Sequence, residues 1–361
     1  MSETERLIGH HVLVHDLKAR PELNGLCGEA KSFDSSKGRF AVKILGVSGS
    51  LLLKLDNLER MPEASNAIAA CCHAEHADEV RERVRTVRSG SKSDDPHMQY
   101  VLDLEDTGLR ELPPCVGTLA ETRELWLGNN GLAALPSAVG CIIALRQLDL
   151  DGNALTTLPD SIASLSVLEA LYANRNRFAR LPKALGKLRA LRELRLSENQ
   201  LADPDALPAE LGGGLSKTLR TLWLASNGLS SVPACVCAFA ALEELDLSNN
   251  PSLTALPPGL LALSKLQTLE LDGNVALKCP PPKVVARGSE AVLKWMRATP
   301  EAFEAASASA ASAEVVEVPY AHEAPGSMHQ PLRPEDMGGS SEPDGSGGTF
   351  TFPASFAASI S

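Results

Sequence analysis

Leucine recurs along this chain with a 23-residue period, and no other feature limits its folding so tightly. The pattern L-x-x-L-x-L-x-x-N-x-L-x-x-L-P is clearest at Leu145, Leu148, Leu150, Asn153, Leu155, Leu158 and Pro159. Its second leucine falls at Leu102, Leu125, Leu148, Leu171, Leu194, Leu222, Leu245 and Leu269, in steps of 23, 23, 23, 23, 28, 23 and 24 residues. A unit of that length is one turn of chain and cannot bury its own apolar side. Stacking the units buries a continuous core, so the period predicts a solenoid. Each L-x-L reads as a short strand, because alternate side chains share a side. Both leucines then face inward, and successive turns lay the strands out as a parallel sheet of eight.

Two further columns belong to the period. Asn130, Asn153, Asn176, Asn199, Asn227, Asn250 and Asn274 follow the paired leucines, with Thr107 in the first copy. A buried amide there can bond backbone groups of its own turn and of the adjacent one. Leu-Pro pairs end the inner segments at Leu112, Leu135, Leu158, Leu181, Leu207 and Leu256, with Val232 substituting once. Proline then opens the return path, where its missing N–H does no harm. Over about residues 98–298 these columns resemble the leucine-rich-repeat family, in the L-P-x-x-I/L-x-x-L type of Ras-associated scaffold and plant or algal proteins. The resemblance implies a curved horseshoe with the parallel sheet on its concave side, used for binding proteins. Cysteine-rich caps, usual in the family's extracellular members, are absent.

The solenoid accounts for residues 98–279, and its ends need covers. Residues 66–88 read as one capping helix with an apolar stripe at Val80, Val84 and Val87, Ser65 as N-cap and Gly90 as stop, within a cap and linker at 63–97. Pro280–Pro282 ends the coil, and residues 289–297 read as a second helix, with Val292, Trp295 and Met296 on one face of a cap at 280–299. The fifth copy carries three extra residues between Leu201 and Leu207 and two around Gly212–Gly214, either slack or a functional loop.

Residues 1–62 alternate short β patterns with turn signals: His11–His15, Glu29–Phe33, Arg39–Leu45 and Ser50–Leu55, with turns at Asn24-Gly25, Gly28 and Ser36–Gly38. Five short strands here suit a small all-β barrel. The run Val12–Gly28 is similar to KOW-type or Src-homology-3-like barrels, which implies peptide contact, an intramolecular role or, least favoured, RNA contact. Residues 300–361 are rich in Ala, Ser, Gly, Pro and acid and read as a disordered tail, with Phe350, Phe352 and Phe356 as a docking motif or an idle end. The fold class is therefore α/β: an eight-repeat solenoid, a small N-terminal barrel and a tail.

Charge narrows the partners. The chain carries −11 overall, and its last 61 residues hold nine acidic residues and one basic one. That is no footprint for nucleic acid. No stretch approaches the roughly 18 apolar residues of a membrane span, and Met1–His11 carries no apolar leader. Eight cysteines without regular spacing, and no Asn-x-Ser/Thr acceptor, point to free thiols in a reducing, cytoplasmic setting, with the nucleus left open. Cys72, His76 and Glu79 sit at near-helical spacing, but no second ligand pair of zinc-like spacing follows. Gly46–Lys54 only superficially suggests a phosphate loop, and no metallopeptidase or nucleophile-elbow motif occurs. We expect no catalysis and no cofactor or metal, and a chain monomeric by itself.

The informative positions lie between the paired leucines, where side chains point out of the sheet. That column reads Asp103, Trp126, Asp149, Tyr172, Arg195, Trp223, Asp246, Glu270. Three of the chain's six Trp and Tyr residues stand in it, and Trp, Tyr and Arg are the residues enriched at binding hot spots. Trp126, Tyr172, Arg195 and Trp223, with Arg175, Asp149 and Asp246 beside them, are the expected protein-binding residues, unless adjacent long side chains merely cover the rings. A scaffold is the leading function. A regulatory or targeting subunit of a phosphatase or GTPase is the alternative, by analogy only.

Overall fold

The computed structural model describes residues 6–45, 47–89 and 100–311. The chain opens with five antiparallel strands: β1 (His11–Val14), β2 (Cys27–Asp34), β3 (Arg39–Ile44), β4 (Leu51–Leu53) and β5 (Leu58–Arg60), in the order β4-β3-β2-β1-β5. Alternation built this sheet. Val12, Val14, Ala30, Phe40 and Val42 are fully buried while residues between them face out. The last strand, Leu-Glu-Arg, is too short to show alternation, so the sequence does not locate it. What stands here is a five-stranded sheet with β4 and β5 at its edges. It packs against the repeats. Ala138 and Cys141, from the second repeat turn, lie in its core, and Cys27 N donates to Cys141 Sγ at 3.2 Å. Gly25, at φ 80°, stands where a Cβ would come within 2.9 Å of Ser137 Cβ.

The N-terminal cap is two helices, α1 (Ala64–Ala70) and α2 (Ala77–Ser89), where the sequence reads one. Ser65 lies buried inside α1 and does not cap it; Gly90 lies outside the described residues. The break has a purpose. Between the helices His73 N donates to Thr107 O (3.0 Å) and Cys71 O accepts from Arg110 N (3.3 Å), so the cap joins the first repeat by backbone hydrogen bonds. Val80, Val84 and Val87 are buried against the repeats, as the stripe predicts.

Eight three-residue strands then follow: β6 (Val101–Asp103), β7 (Glu124–Trp126), β8 (Gln147–Asp149), β9 (Ala170–Tyr172), β10 (Glu193–Arg195), β11 (Thr221–Trp223), β12 (Glu244–Asp246) and β13 (Thr268–Glu270). All neighbouring pairs are parallel, in sequence order and in register on the central leucine, Leu102↔Leu125 through Leu245↔Leu269. Those leucines and their i+2 partners form one continuous core. Each Leu-Pro proline precedes a short helix on the return path. It is a 3-10 helix in six turns and α3 (Ala209–Leu215) in the fifth. Of the extra residues of the fifth copy, those between Leu201 and Leu207 form a turn, where Ala206 N donates to Asp203 O at 2.8 Å, and those around Gly212–Gly214 lie in α3 after it. Gly214 is required there, since a Cβ would fall 1.7 Å from Gly186 O. Close packing of two turns explains that glycine without a binding role.

The asparagines do what their column predicts. Asn176 Nδ2 donates to Leu150 O of the preceding turn (2.8 Å) and Ala173 O of its own (3.3 Å), while its Oδ1 accepts from Leu155 N (3.0 Å). Asn130, Asn153, Asn199 and Asn250 repeat this arrangement. Thr107 closes the first turn through Leu104 O (2.9 Å).

At the C-terminal end stand α4 (Pro282–Val285), α5 (Ser289–Ala298) and α6 (Pro300–Ala311). Val292, Leu293 and Met296 are buried. The sequence ends the cap at 299 and starts the tail at 300, which is a correction to make: α6 continues the cap. Phe303 is fully buried, edge-on to Trp295 at 5.9 Å, and its carbonyl accepts from Cys279 Sγ. One aromatic in an Ala/Ser-rich run was too weak a periodic signal. The rest of the tail reading, with Phe350, Phe352 and Phe356, lies outside the described residues. No helix among the described residues is long and apolar enough to cross a membrane.

Candidate protein-binding face

The first and third residues of β6–β13 project from the sheet away from the leucine core. In-register strands stand about 4.8 Å apart, so third residues form a column in which each side chain touches the next. In the middle of that column Arg195 lies between Tyr172 and Trp223. Its guanidinium sits 4.6 Å from the Tyr172 ring centre and 4.0 Å from that of Trp223. Carboxylates complete the group. Tyr172 OH donates to Glu193 Oε2 (2.9 Å), Arg195 Nε donates to Glu193 Oε1 (2.8 Å), and Trp223 Nε1 donates to Glu244 Oε1 (2.7 Å). Burial, with Glu193 beside it, pushes the Tyr172 phenol up. The rings are half-buried and partly covered by Arg195, which is the alternative the sequence left open beside solvent-facing rings. Truncating them therefore disturbs packing as well as any contact.

The N-terminal part of the column differs. Trp126 stands between Asp103 and Asp149. One step along the same turns lie Glu105 and Asp151. Partial burial raises the Glu105 carboxyl, with Asp149, Asp106, Asp103 and Asp151 adding like charge. Asp149 is raised mainly by burial. Trp126 Nε1 is out of solvent and meets no acceptor among the described residues.

The aspartates have a local duty that the sequence reading missed. Asp103, Asp149 and Asp246 each accept, through Oδ1, from the backbone N–H two residues on: Glu105 (3.0 Å), Asp151 (2.9 Å) and Ser248 (2.9 Å). An aspartate two residues before a turn is the available signal. A second polar ladder was also missed: Asp151 accepts from Asn174 N (2.7 Å), and Asn174 Oδ1 accepts from Ser197 N (2.8 Å).

Arg175 is not in the column. It lies on the loop after β9 at φ 52°, paired with Glu198 at 3.2 Å. With Trp223 and Asp246 it lines a hollow of about 350 Å³, into which Ser197 and Asn249 also reach. Of the seven expected residues, Tyr172, Arg195 and Trp223 stand together with Arg175 and Asp246 beside them, Trp126 stands apart, and Asp149 lies between Trp126 and Tyr172. Among the described residues no three His, Cys, Asp or Glu are grouped to hold a metal. Cys72 Sγ instead donates to Ile68 O (3.4 Å), and all eight cysteines are free.

Comparison with known proteins agrees with the repeat. Residues 97–213 match the family described as a leucine-rich repeat region, and residues 217–258 that described as leucine rich repeats in two copies. The chain is similar to the structure of a leucine-rich-repeat protein of Leptospira interrogans, at 29% identity and a TM-score of 0.43, over 53% of this chain and 51% of that one. It is also similar to the leucine-rich repeat domain of the type III effector XopL, at 21% identity and a TM-score of 0.45, over 63% of this chain and 85% of that one. The chain spans about half the length of the Leptospira protein. No curated protein matches it.

Proposed function

We propose that this chain, a leucine-rich-repeat protein, is an intracellular, non-enzymatic scaffold that takes a partner protein on the open face of its parallel sheet. Trp126, Tyr172, Arg195 and Trp223 are the anchors, with Arg175, Asp149 and Asp246 at their margins. The observation that carries the reading is the Tyr172–Arg195–Trp223 stack. Its side chains are already ordered by one another and by Glu193 and Glu244, so docking costs them little further conformational entropy. Trp, Tyr and Arg also dominate the few residues that carry most binding energy. Eight free thiols fit a reducing compartment.

The test is affinity capture with the full chain, followed by titration of the partners retained. Trp126→Ala with Trp223→Ala should weaken binding by about 2 kcal/mol or more. Folding of the variant is checked by circular dichroism, since both rings are half-buried. A folded double variant that binds like the parent would overturn the reading and move attention to the N-terminal sheet or to residues 201–215.

A further inference from the structure

One column of the sheet face holds two tryptophans, and only one of them has what a tryptophan there takes. Trp223 has a guanidinium 4.0 Å from its ring centre and a carboxylate accepting its N–H. Trp126 has carboxylates around it and no cation on its ring among the described residues. We propose that Trp126, with Asp103, Glu105, Asp149 and Asp151, is the seat for a lysine or arginine side chain carried on an extended basic segment of the partner protein. This rests on the reading of the sheet face as the partner-binding surface.

Register places the acids. Asp103 and Asp149 lie directly beside Trp126 on adjacent strands, and Glu105 and Asp151 follow two residues on. Arg83 reaches Asp103 at 3.5 Å and the Arg195 charge acts on Asp149, but Glu105 is held by the amide of Asn129 (3.1 Å) and Asp151 by that of Asn174 (2.9 Å), which orient a carboxylate without cancelling its charge. The raised carboxyls of Glu105 and Asp149 are those of partly buried groups with like charge beside them, and an arriving cation offsets that charge. A cation over an indole face is attracted by the ring as well. The indole N–H of Trp126 still lacks an acceptor. An extended segment can run along the column and set successive basic side chains on its acids, which is why a segment fits better than a free amine. The other acidic end, at Glu270, Asp272 and Asp246, has like-charged carboxylates and no tryptophan with an unused N–H. It serves as the internal control.

The probe is a ten-residue peptide alternating lysine and serine, titrated calorimetrically into the full chain, with a glutamate–serine peptide of equal length beside it. We expect the lysine peptide to bind, more weakly as salt rises, and the glutamate peptide not to bind. Trp126→Ala should abolish binding and Trp126→Phe should keep most of it. Glu105→Gln with Asp149→Asn should cost at least tenfold, and Glu270→Gln less than twofold. Absence of lysine-peptide binding overturns the proposal. So does binding that Trp126→Ala leaves intact, or that Glu270→Gln weakens as much as the Glu105/Asp149 pair does, because that is general attraction to an acidic protein. A captured partner separates this inference from the function it rests on. If the partner needs Trp126 and Trp223 but the lysine peptide fails to displace it, the seat is wrong and the face stands. If the partner ignores both tryptophans while the peptide needs Trp126, the scaffold reading fails and the seat stands.

Discussion

Trp126 and Trp223 occupy the same position of two repeat turns, on strands of identical length and register, yet their surroundings are opposite. Around Trp223 the indole N–H and the Arg195 guanidinium have found partners inside the chain, while the nearby Ser197 hydroxyl is buried without one. Around Trp126 the indole N–H is unpaired and Glu105 feels four neighbouring carboxylates. Because the repeat makes the backbone equivalent, the difference lives in the variable side chains of neighbouring turns. Arg195 stands on the strand before Trp223, and Asp103 stands in the matching place before Trp126. In the central group Tyr172, Arg195 and Trp223 hold one another and their carboxylates. The N-terminal group keeps partly buried like charge that an incoming cation would offset.

The comparison presumes a common support, and the largest expected effect tests that. Asn153→Ala lies under the N-terminal group and Asn199→Ala under the central one, and each amide serves two turns. Both variants should lose about 1–3 kcal/mol in denaturant melts, because buried backbone groups lose their partners. A large loss at one site and none at the other would show that the two regions differ in backbone, not only in side chains.

This support was legible in sequence, and the contrast above it was not. The leucine, asparagine and proline columns are local and periodic, so each copy confirms the others, and register follows. The column holding Trp126, Asp149, Tyr172, Arg195 and Trp223 was equally readable as a position. What each member does depends on neighbours 23 or 28 residues away. No pattern in the sequence says that Arg195 covers both rings or that Trp126 N–H goes unpaired. Phe303 and the break between α1 and α2 escaped for a related reason. Each is a single event, fixed by contacts with a distant turn, and nothing repeats to reveal it.

The next effect separates the two groups directly. Arg195→Ala removes the cation from both rings, so it should cost about 1 kcal/mol of stability and weaken partner binding through loss of order at Tyr172 and Trp223. Glu124→Ala lies beside Trp126 on β7 and should leave the melt nearly unchanged. Thermal melts of the two variants, side by side, decide this. Equal losses would mean that the central stack contributes nothing special.

A smaller effect reads the unrelieved charge. The Glu105 and Asp149 carboxyls are raised in the folded protein, so the folded state takes up protons more readily than the unfolded chain there. Their ionised forms cost stability at neutral pH, and that cost fades as pH falls toward and through the raised carboxyl range. Asp203 and Glu210 are lowered and act oppositely, losing their contribution as pH falls through their own values. The useful quantity is therefore the difference between proteins. Glu105→Gln should melt higher than the parent at neutral pH, and the gap should close on acidification. A gap that widens instead would show that Glu105 has a favourable partner and that the N-terminal group is not strained.

The smallest effect concerns the backbone beside each group. The residue before each ladder position is left-handed in all eight turns: Asp106, Asn129, Gly152, Arg175, Glu198, Ser226, Asn249 and Gly273. Near Trp126 and Asp149 this place is held by Asn129 and Gly152, which tolerate that conformation. Near the central stack it is held by Arg175 and Glu198, which do not, and whose ion pair at 3.2 Å is largely exposed. A left-handed residue with a Cβ costs about 1–2 kcal/mol, glycine returns part of that to chain entropy, and an exposed ion pair contributes about 0–1 kcal/mol. Arg175→Gly should therefore stabilise the fold slightly, by about 0.5 kcal/mol after these offsets. If Arg175 belongs to the binding face, as its place in the hollow with Trp223 and Asp246 implies, the same variant should bind the captured partner more weakly. A more stable protein with reduced affinity would mean that the central group, though internally satisfied, keeps a strained residue because the partner needs it. Unchanged affinity would confine the central site to the column itself and remove Arg175 from it.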